Sequence, residues 1–178
     1  RYVPVRDKDG RLIEVEGIVI DVTERKAAEE QLARLARTDG LTGLANRATL
    51  VERLHQAHAA ARRGSVPFAL HCLDLDHFKP VNDMFGHPGG DLLLREVALR
   101  LKNCTRETDV VARLGGDEFA VLQSEMTDPA AAGALAAKIQ QALARPYMIN
   151  GNQVHASASI GICPYASSSE SPEEMLAQ

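Results

Sequence analysis

Residues 113–122, Arg-Leu-Gly-Gly-Asp-Glu-Phe-Ala-Val-Leu, carry the densest chemistry in the chain. Gly115 and Gly116 permit a tight turn and a close backbone approach to a ligand. Asp117 and Glu118 stand at its tip, and Val110, Val111, Leu114, Phe119, Val121 and Leu122 read as the strands of a hairpin around them. A second acidic cluster, Asp74-Leu75-Asp76, closes another predicted strand. Carboxylates on a glycine turn suit a divalent cation and a polyphosphate better than a core, because hard oxygens hold hard cations.

These groups need a scaffold, and from Asp39 onward the pattern is α/β. The loop 39–45 delivers Asn46 as an N-cap for a helix to about Arg63, which Gly64-Ser65 breaks. Pro67 to Asp74 is a short apolar strand. A short helix near His77–Met84 follows, then Gly86-His87-Pro88-Gly89-Gly90. A longer helix starts near Asp91 and buries Leu94, Val97, Ala98 and Leu101. After the acidic hairpin, Asp128-Pro129 opens an alanine-rich helix that ends near Ala144, before Pro146. A hairpin turning at Asn150-Gly151-Asn152 leads into an apparently buried strand over 154–162. The order implies an α/β fold with one mixed central sheet flanked by helices.

The N-terminal part reads differently. Tyr2-Val3-Pro4-Val5, a turn at 7–10 and Leu12 to Ile20 form a β-hairpin too small to fold alone. Thr23 to Arg37 is a charged helix with Ala28, Leu32 and Leu35 on one face. It fits a short coiled coil linking two domains, or an amphipathic linker packed on its own domain. Ser171, Pro172, Glu173 and Glu174 mark a helix start just before Gln178, so both ends read as cut.

Composition bounds the function. With 178 residues, 45% of them hydrophobic, the chain supports one domain with a real core. A net charge of −4 and the lack of a basic face argue against a nucleic-acid polymer as partner. They do not argue against a nucleotide, whose charge a metal ion can offset. Cys72, Cys104 and Cys163 have no paired spacing and read as buried thiols. No apolar run nears the roughly 20 residues of a membrane span, and no signal peptide is visible. The expectation is a soluble, cytoplasmic protein without direct membrane contact.

Four motifs in order resemble the GGDEF domain of the diguanylate cyclase family: Gly43-Leu44-Ala45-Asn46-Arg47, the run 74–83, Gly86-His87…Gly90-Asp91, and Gly115-Gly116-Asp117-Glu118-Phe119. The resemblance covers 39–178 and implies a nucleotide-cyclase or palm-like sheet with a ferredoxin-like core. Residues 1–22 resemble the C-terminal strands of a PAS sensor domain, with Asp21-Val22-Thr23-Glu24-Arg25-Lys26 at the junction and 23–38 as a signalling helix.

The resemblance implies condensation of two GTP molecules into cyclic di-GMP with release of two pyrophosphates. It assigns Asp74, Asp117 and the Leu75 carbonyl to Mg²⁺ or Mn²⁺. Glu118 falls near the reacting hydroxyl or a second metal as a general base, with bracing of the turn or pairing with a lysine as its alternatives. Asp76 is expected to face away from Asp74 as a structural acceptor. Asn82 and Asp91 match the guanine-reading positions, Asp91 doubling as a helix cap, and His87 lies nearby as a ligand contact or a packing residue. Phe78 and Lys79 match a phosphate site, and Gly115 and Gly116 line the nucleotide.

Arg106-Glu107-Thr108-Asp109 matches the family's RxxD product-inhibition site, where arginine pairs phosphate and stacks on guanine. Arg113 fits a role at either site or in the strand. One domain holds one GTP, so catalysis is expected at a two-fold homodimer interface. A departure is that the family's remaining phosphate-binding Lys and Arg lie on a C-terminal helix that would only be starting at Gln178, so residues 1–178 alone are expected to be poorly active. Two rivals remain. One is a GTP-binding regulatory domain attached to a C-terminal EAL phosphodiesterase, which Arg145-Pro146-Tyr147 and 157–162 also resemble. The other is a cyclic di-GMP receptor acting through Arg106 and Asp109.

Overall fold

A computed structural model of the chain describes residues 2–17, 37–64, 67–126, 128, 130–165 and 171–176. The chain divides into two compact units, Arg1–Ala36 and Arg37–Gln178. In the first, β1 (Tyr2–Arg6) pairs antiparallel with β2 (Leu12–Gly17). The Asp7 carboxylate closes their turn by accepting from the Asp9 and Arg11 amides. The expected extension of β2 through Ile20 and the helix over 23–37, apart from Arg37, lie outside the described residues.

The second unit runs α1 (Arg47–Arg62), β3 (Ala69–Asp76), α2 (Phe78–Cys104), β4 (Val110–Gly115), β5 (Glu118–Gln123), α3 (Ala130–Leu143), β6 (Tyr147–Ile149), β7 (Asn152–Val154), β8 (Ser157–Pro164) and α4 (Pro172–Met175). Strands β3, β4, β5 and β8 form one sheet in the order β4-β5-β3-β8, and every pairing among them is antiparallel. With α2 and α3 as crossovers this is the βαββαβ arrangement of a ferredoxin-like core. An isolated parallel bridge between Ala45 and Ala112 joins the loop before α1 to β4; the named strands themselves make an antiparallel sheet flanked by helices.

Strand alternation makes the sheet two-faced. Leu73, Leu75, Phe119 and Val121 point into a core with Val97 and Leu101 of α2 and Ile139 and Leu143 of α3. Leu70, Ala120 and Leu122 point the other way, onto Leu50 and Leu54 of α1 and Met175 of α4. Burying both faces drives the fold. Asn46 caps α1 by accepting from the Thr49 amide at 3.0 Å, and Ser171 caps α4 through a reciprocal capping box with Glu174.

Two expectations are corrected. The strand read as buried over 154–162 is two pieces. β7 ends at Val154, and β8 is an edge strand with exposed Ser157, Ser159, Gly161 and Ile162. Its small and apolar residues mimic a central strand although only one edge is paired. The glycine-rich stretch 86–90 is not a loop either: helix resumes directly after Gly86, whose φ of 69° and ψ of 173° kink α2. Pro88 falls in the first turn after the kink, where a missing amide costs nothing. Asp91 therefore lies inside a helix and is not its cap.

Candidate functional site

The acidic groups gather at one end of the sheet. In the β3–β5 ladder Asp74 is the direct partner of Glu118, so their side chains rise from the same face. The Leu75 amide donates to the Asp117 carbonyl at 3.3 Å, fastening the hairpin tip to the end of β3. The tip takes this shape because Gly115 and Gly116 have φ of 150° and 52°, and Leu114 is bulged out of the β4–β5 ladder. Asp74 and Glu118 are exposed, Asp117 is half-buried, and Leu75 is buried.

Burial and then the negative charges of Asp117, Glu118 and Asp76 push the Asp74 carboxyl above its ordinary range. The charges that raise it are the three neighbouring carboxylates. Two carboxylates and a backbone carbonyl are hard oxygen donors, and a net negative site of this kind fits a Mg²⁺-class ion. Among the described residues, no three His, Cys, Asp or Glu side chains form a metal cluster of their own.

Asp76 corrects another expectation. β3 continues through residue 76, so positions 74 and 76 share a face of the strand. What removes Asp76 from the site is hydrogen bonding. The Ser157 and Ser159 hydroxyls donate to its two carboxylate oxygens at 2.7 and 2.9 Å, and these bonds hold its carboxyl below the usual range.

The chain then turns into α2 through His77, which is left-handed (φ 64°) and supplies no side-chain cap. The first-turn amides, those of Phe78 and Lys79 among them, thus receive no capping hydrogen bond from the His77 side chain. Lys79 and His87 are exposed, while Asn82 and Asp91 are half-buried on opposite sides of the Gly86 kink. The kink folds the helix back so that Gly90 lies against Asn82 and Phe78. Asn82 thus lies against the residue that precedes Asp91.

A cavity of about 760 Å³ adjoins the carboxylates on the α1 face of the sheet, with Arg47, Cys72, Asp74, Glu118, Ser159 and Cys163 in its wall. Lys79, Asn82, His87 and Asp91 do not line it. Burial, then the Glu118 charge, raises the Cys72 thiol, and no cysteine is disulfide-bonded.

Arg106 and Asp109 lie at the opposite end of β4 from the glycine tip, about one strand length away, on the order of 20 Å. A cavity of about 260 Å³ there includes both residues with Gly43, Lys102 and Thr105. Both Asp109 oxygens already accept backbone hydrogen bonds, from the Arg106 amide at 2.9 Å and the Ser124 amide at 3.1 Å. Arg106 is exposed.

Two residues near the tip had no assigned role. Arg113 Nη2 and Nε donate to the Gly116 carbonyl at 2.7 and 3.0 Å, and Nη1 lies 3.2 Å from Asp39. Asp39 also accepts from the amide and hydroxyl of Thr42. No local pattern links positions 39 and 113, which lie far apart in the chain. Arg47, the first residue of α1, stands in the wall beside Asp74 and Glu118, and its place in the first sequence motif was the only signal of it.

The model of the family described as diguanylate cyclase, GGDEF domain, matches residues 36–178. The chain is 46% identical over 154 residues to the bifunctional diguanylate cyclase/cyclic di-GMP phosphodiesterase MucR of Pseudomonas aeruginosa, covering 86% of this chain and 22% of MucR. It spans about a fifth of the length of the first curated relatives it matches, at 22%, 22% and 21%. Among solved structures it is similar to the GGDEF domain of TpbB (YfiN) from P. aeruginosa, with a TM-score of 0.76, 38% identity, and 79% and 83% of the two chains covered. The coiled coil and GGDEF domain of DgcB from Caulobacter crescentus in complex with c-di-GMP gives a TM-score of 0.78 at 30% identity, with 88% and 83% covered.

Proposed function

Because the chain belongs to the GGDEF family of diguanylate cyclase domains, we propose that it condenses two GTP molecules into cyclic di-GMP and releases two pyrophosphates. The observation that carries this reading is the convergence of Asp74, Asp117 and Glu118 where β3 meets the hairpin tip. Asp74, Asp117 and the Leu75 carbonyl would hold Mg²⁺, which would supply positive charge beside the triphosphate. The uncapped amides of Phe78 and Lys79, with the Lys79 ammonium, bind the terminal phosphates. Asn82 and Asp91 read guanine: a carboxylate accepts from N1 and N2, and adenine offers neither donor. Glu118 takes the proton of the attacking 3′-hydroxyl.

Each domain presents one nucleotide, so the two reacting nucleotides meet across a two-fold homodimer. A PAS-like sensor segment and the helix after it set that alignment, since a misplacement of about 1 Å can cost on the order of 10²-fold in rate. Arg106 and Asp109 form a product-binding inhibitory site distinct from the carboxylates. Similarity to the bifunctional MucR supports a second reading, in which the domain binds GTP and tunes an attached EAL phosphodiesterase.

The test is turnover of GTP with Mg²⁺ by the full chain beside Asp117→Ala. Cyclic di-GMP from the unmutated chain, with loss in the variant, is expected. Equal turnover by both removes the metal assignment. GTP binding without turnover, coupled to a change in phosphodiesterase rate, selects the second reading.

A further inference from the structure

We propose that Gly90 is a positioning residue for base recognition: its missing side chain is what lets the Asn82 carboxamide lie across the kinked helix α2, against the residue that precedes Asp91. The inference rests on reading Asn82 and Asp91 as the base-contacting pair.

A Cβ at Gly90 would fall 2.0 Å from Asn82 Oδ1, 2.9 Å from Asn82 Cγ and 3.2 Å from Phe78 Cζ. Non-bonded carbon and oxygen do not approach so closely, so the space above Gly90 is already taken by the carboxamide. The Asn82 side chain makes no hydrogen bond among the described residues. Its direction is therefore set by the shape around it, and the bare Cα of Gly90 is the floor of that shape. The Phe78 ring edge, at 3.2 Å, needs to give by only a few tenths of an ångström, so the carboxamide is the group that a side chain at position 90 displaces.

The neighbouring glycine shows why position 90 differs. A Cβ at Gly89 would fall 2.3 Å from Phe85 Cβ, an atom the backbone holds in place, and 3.5 Å from Ile149 Cγ2 of β6. Gly89 is thus a packing glycine, and filling it strains the fold itself. At Gly90 the obstructing atoms are the movable end of a polar side chain. Rotating Asn82 away relieves the clash at little cost to the core, and it also removes the carboxamide from the base. Filling position 90 should leave a folded protein that has lost its preference for guanine.

The test compares the full chain with Gly90→Ala, Asn82→Ala and the double variant, titrating GTP and inosine triphosphate with Mg²⁺. Inosine keeps O6 and N1–H but lacks the 2-amino group, one of whose two N–H donors is left for Asn82 Oδ1 when the Asp91 carboxylate takes N1–H and the other. Gly90→Ala is expected to keep its circular dichroism and lose about 10-fold in GTP affinity, the scale of one well-placed hydrogen-bonded pair. Its preference for GTP over inosine triphosphate should fall toward parity. In the Asn82→Ala background, adding Gly90→Ala should change GTP affinity by less than about 2-fold, because the obstructed group is already gone. Equal losses in both backgrounds, or unchanged affinity and preference in Gly90→Ala, overturn the inference while the base-pair reading stands. Failure of the unmutated chain to bind GTP overturns both.

Discussion

The Nη1 of Arg113 lies 3.2 Å from Asp39, and the same guanidinium donates twice to the carbonyl of Gly116. The loop that enters the second unit and the glycine tip that presents Asp117 are thus tied through one side chain. Both partners are sheltered, with side-chain exposures of 12% and 22%. Burial raises the Asp39 carboxyl, but hydrogen bonds from Thr42 and the adjacent Arg113 outweigh it and leave the group below its ordinary value.

Arg113→Ala is expected to lower stability by about 1–3 kcal/mol, because it strands a sheltered carboxylate and a backbone carbonyl. It should also reduce turnover more than GTP affinity, since it loosens the tip but leaves the base site intact. A lowered pKa in the folded state means the ionised form of Asp39 favours folding. Its contribution is present above the unfolded value of 3.8 and is lost as pH falls through the folded one. Chemical denaturation of the unmutated chain and Asp39→Asn across acidic pH measures this, and the two stabilities should converge toward low pH.

Asp74 predicts the opposite sign. Its folded pKa is raised, by burial and then by Asp117, Glu118 and Asp76, so the ionised form works against folding in the absence of metal. That penalty is absent below the unfolded value of 3.8 and grows as pH rises through the folded one. In EDTA at neutral pH, Asp74→Asn should melt at or above the unmutated chain. Adding Mg²⁺ should raise the Tm of the unmutated chain and leave Asp74→Asn unmoved. A Tm indifferent to Mg²⁺ in both proteins would remove the ion from this site.

Arg106 and Asp109 should separate in their effects. Arg106 is exposed, so Arg106→Ala is expected to abolish product inhibition with a stability change within about 0.5 kcal/mol. Asp109 holds the Arg106 and Ser124 amides, so Asp109→Ala should also cost about 1–2 kcal/mol. Cyclic di-GMP inhibition curves beside urea melts test both. Inhibition retained in Arg106→Ala would assign the motif to turn formation alone.

Much of the scaffold was legible because its signals are local. Asn46 and Ser171 announce helix starts by side chains that reach backbone amides within one turn, and Gly115-Gly116 between two apolar runs permits the positive φ that a tight turn uses. The stretch 86–90 misled because glycine and proline content signals a break, whereas Pro88 in a first turn is compatible with helix. β8 misled because an edge strand of small residues has the composition of a central one.

By itself the sequence determined which chemistry the chain can hold: two acidic clusters, a glycine turn between strands, and the motif order of the GGDEF family. Only the tertiary structure decided which of these groups meet. Asp74 faces Glu118 through strand register, Asp76 is withdrawn by two serines, Arg113 finds Asp39, and Gly90 makes room for Asn82. The first three depend on distances between residues remote along the chain, and the last on the kink at Gly86. Local propensity carries no record of such distances; they are set when both faces of the sheet are buried and the ladders lock into register.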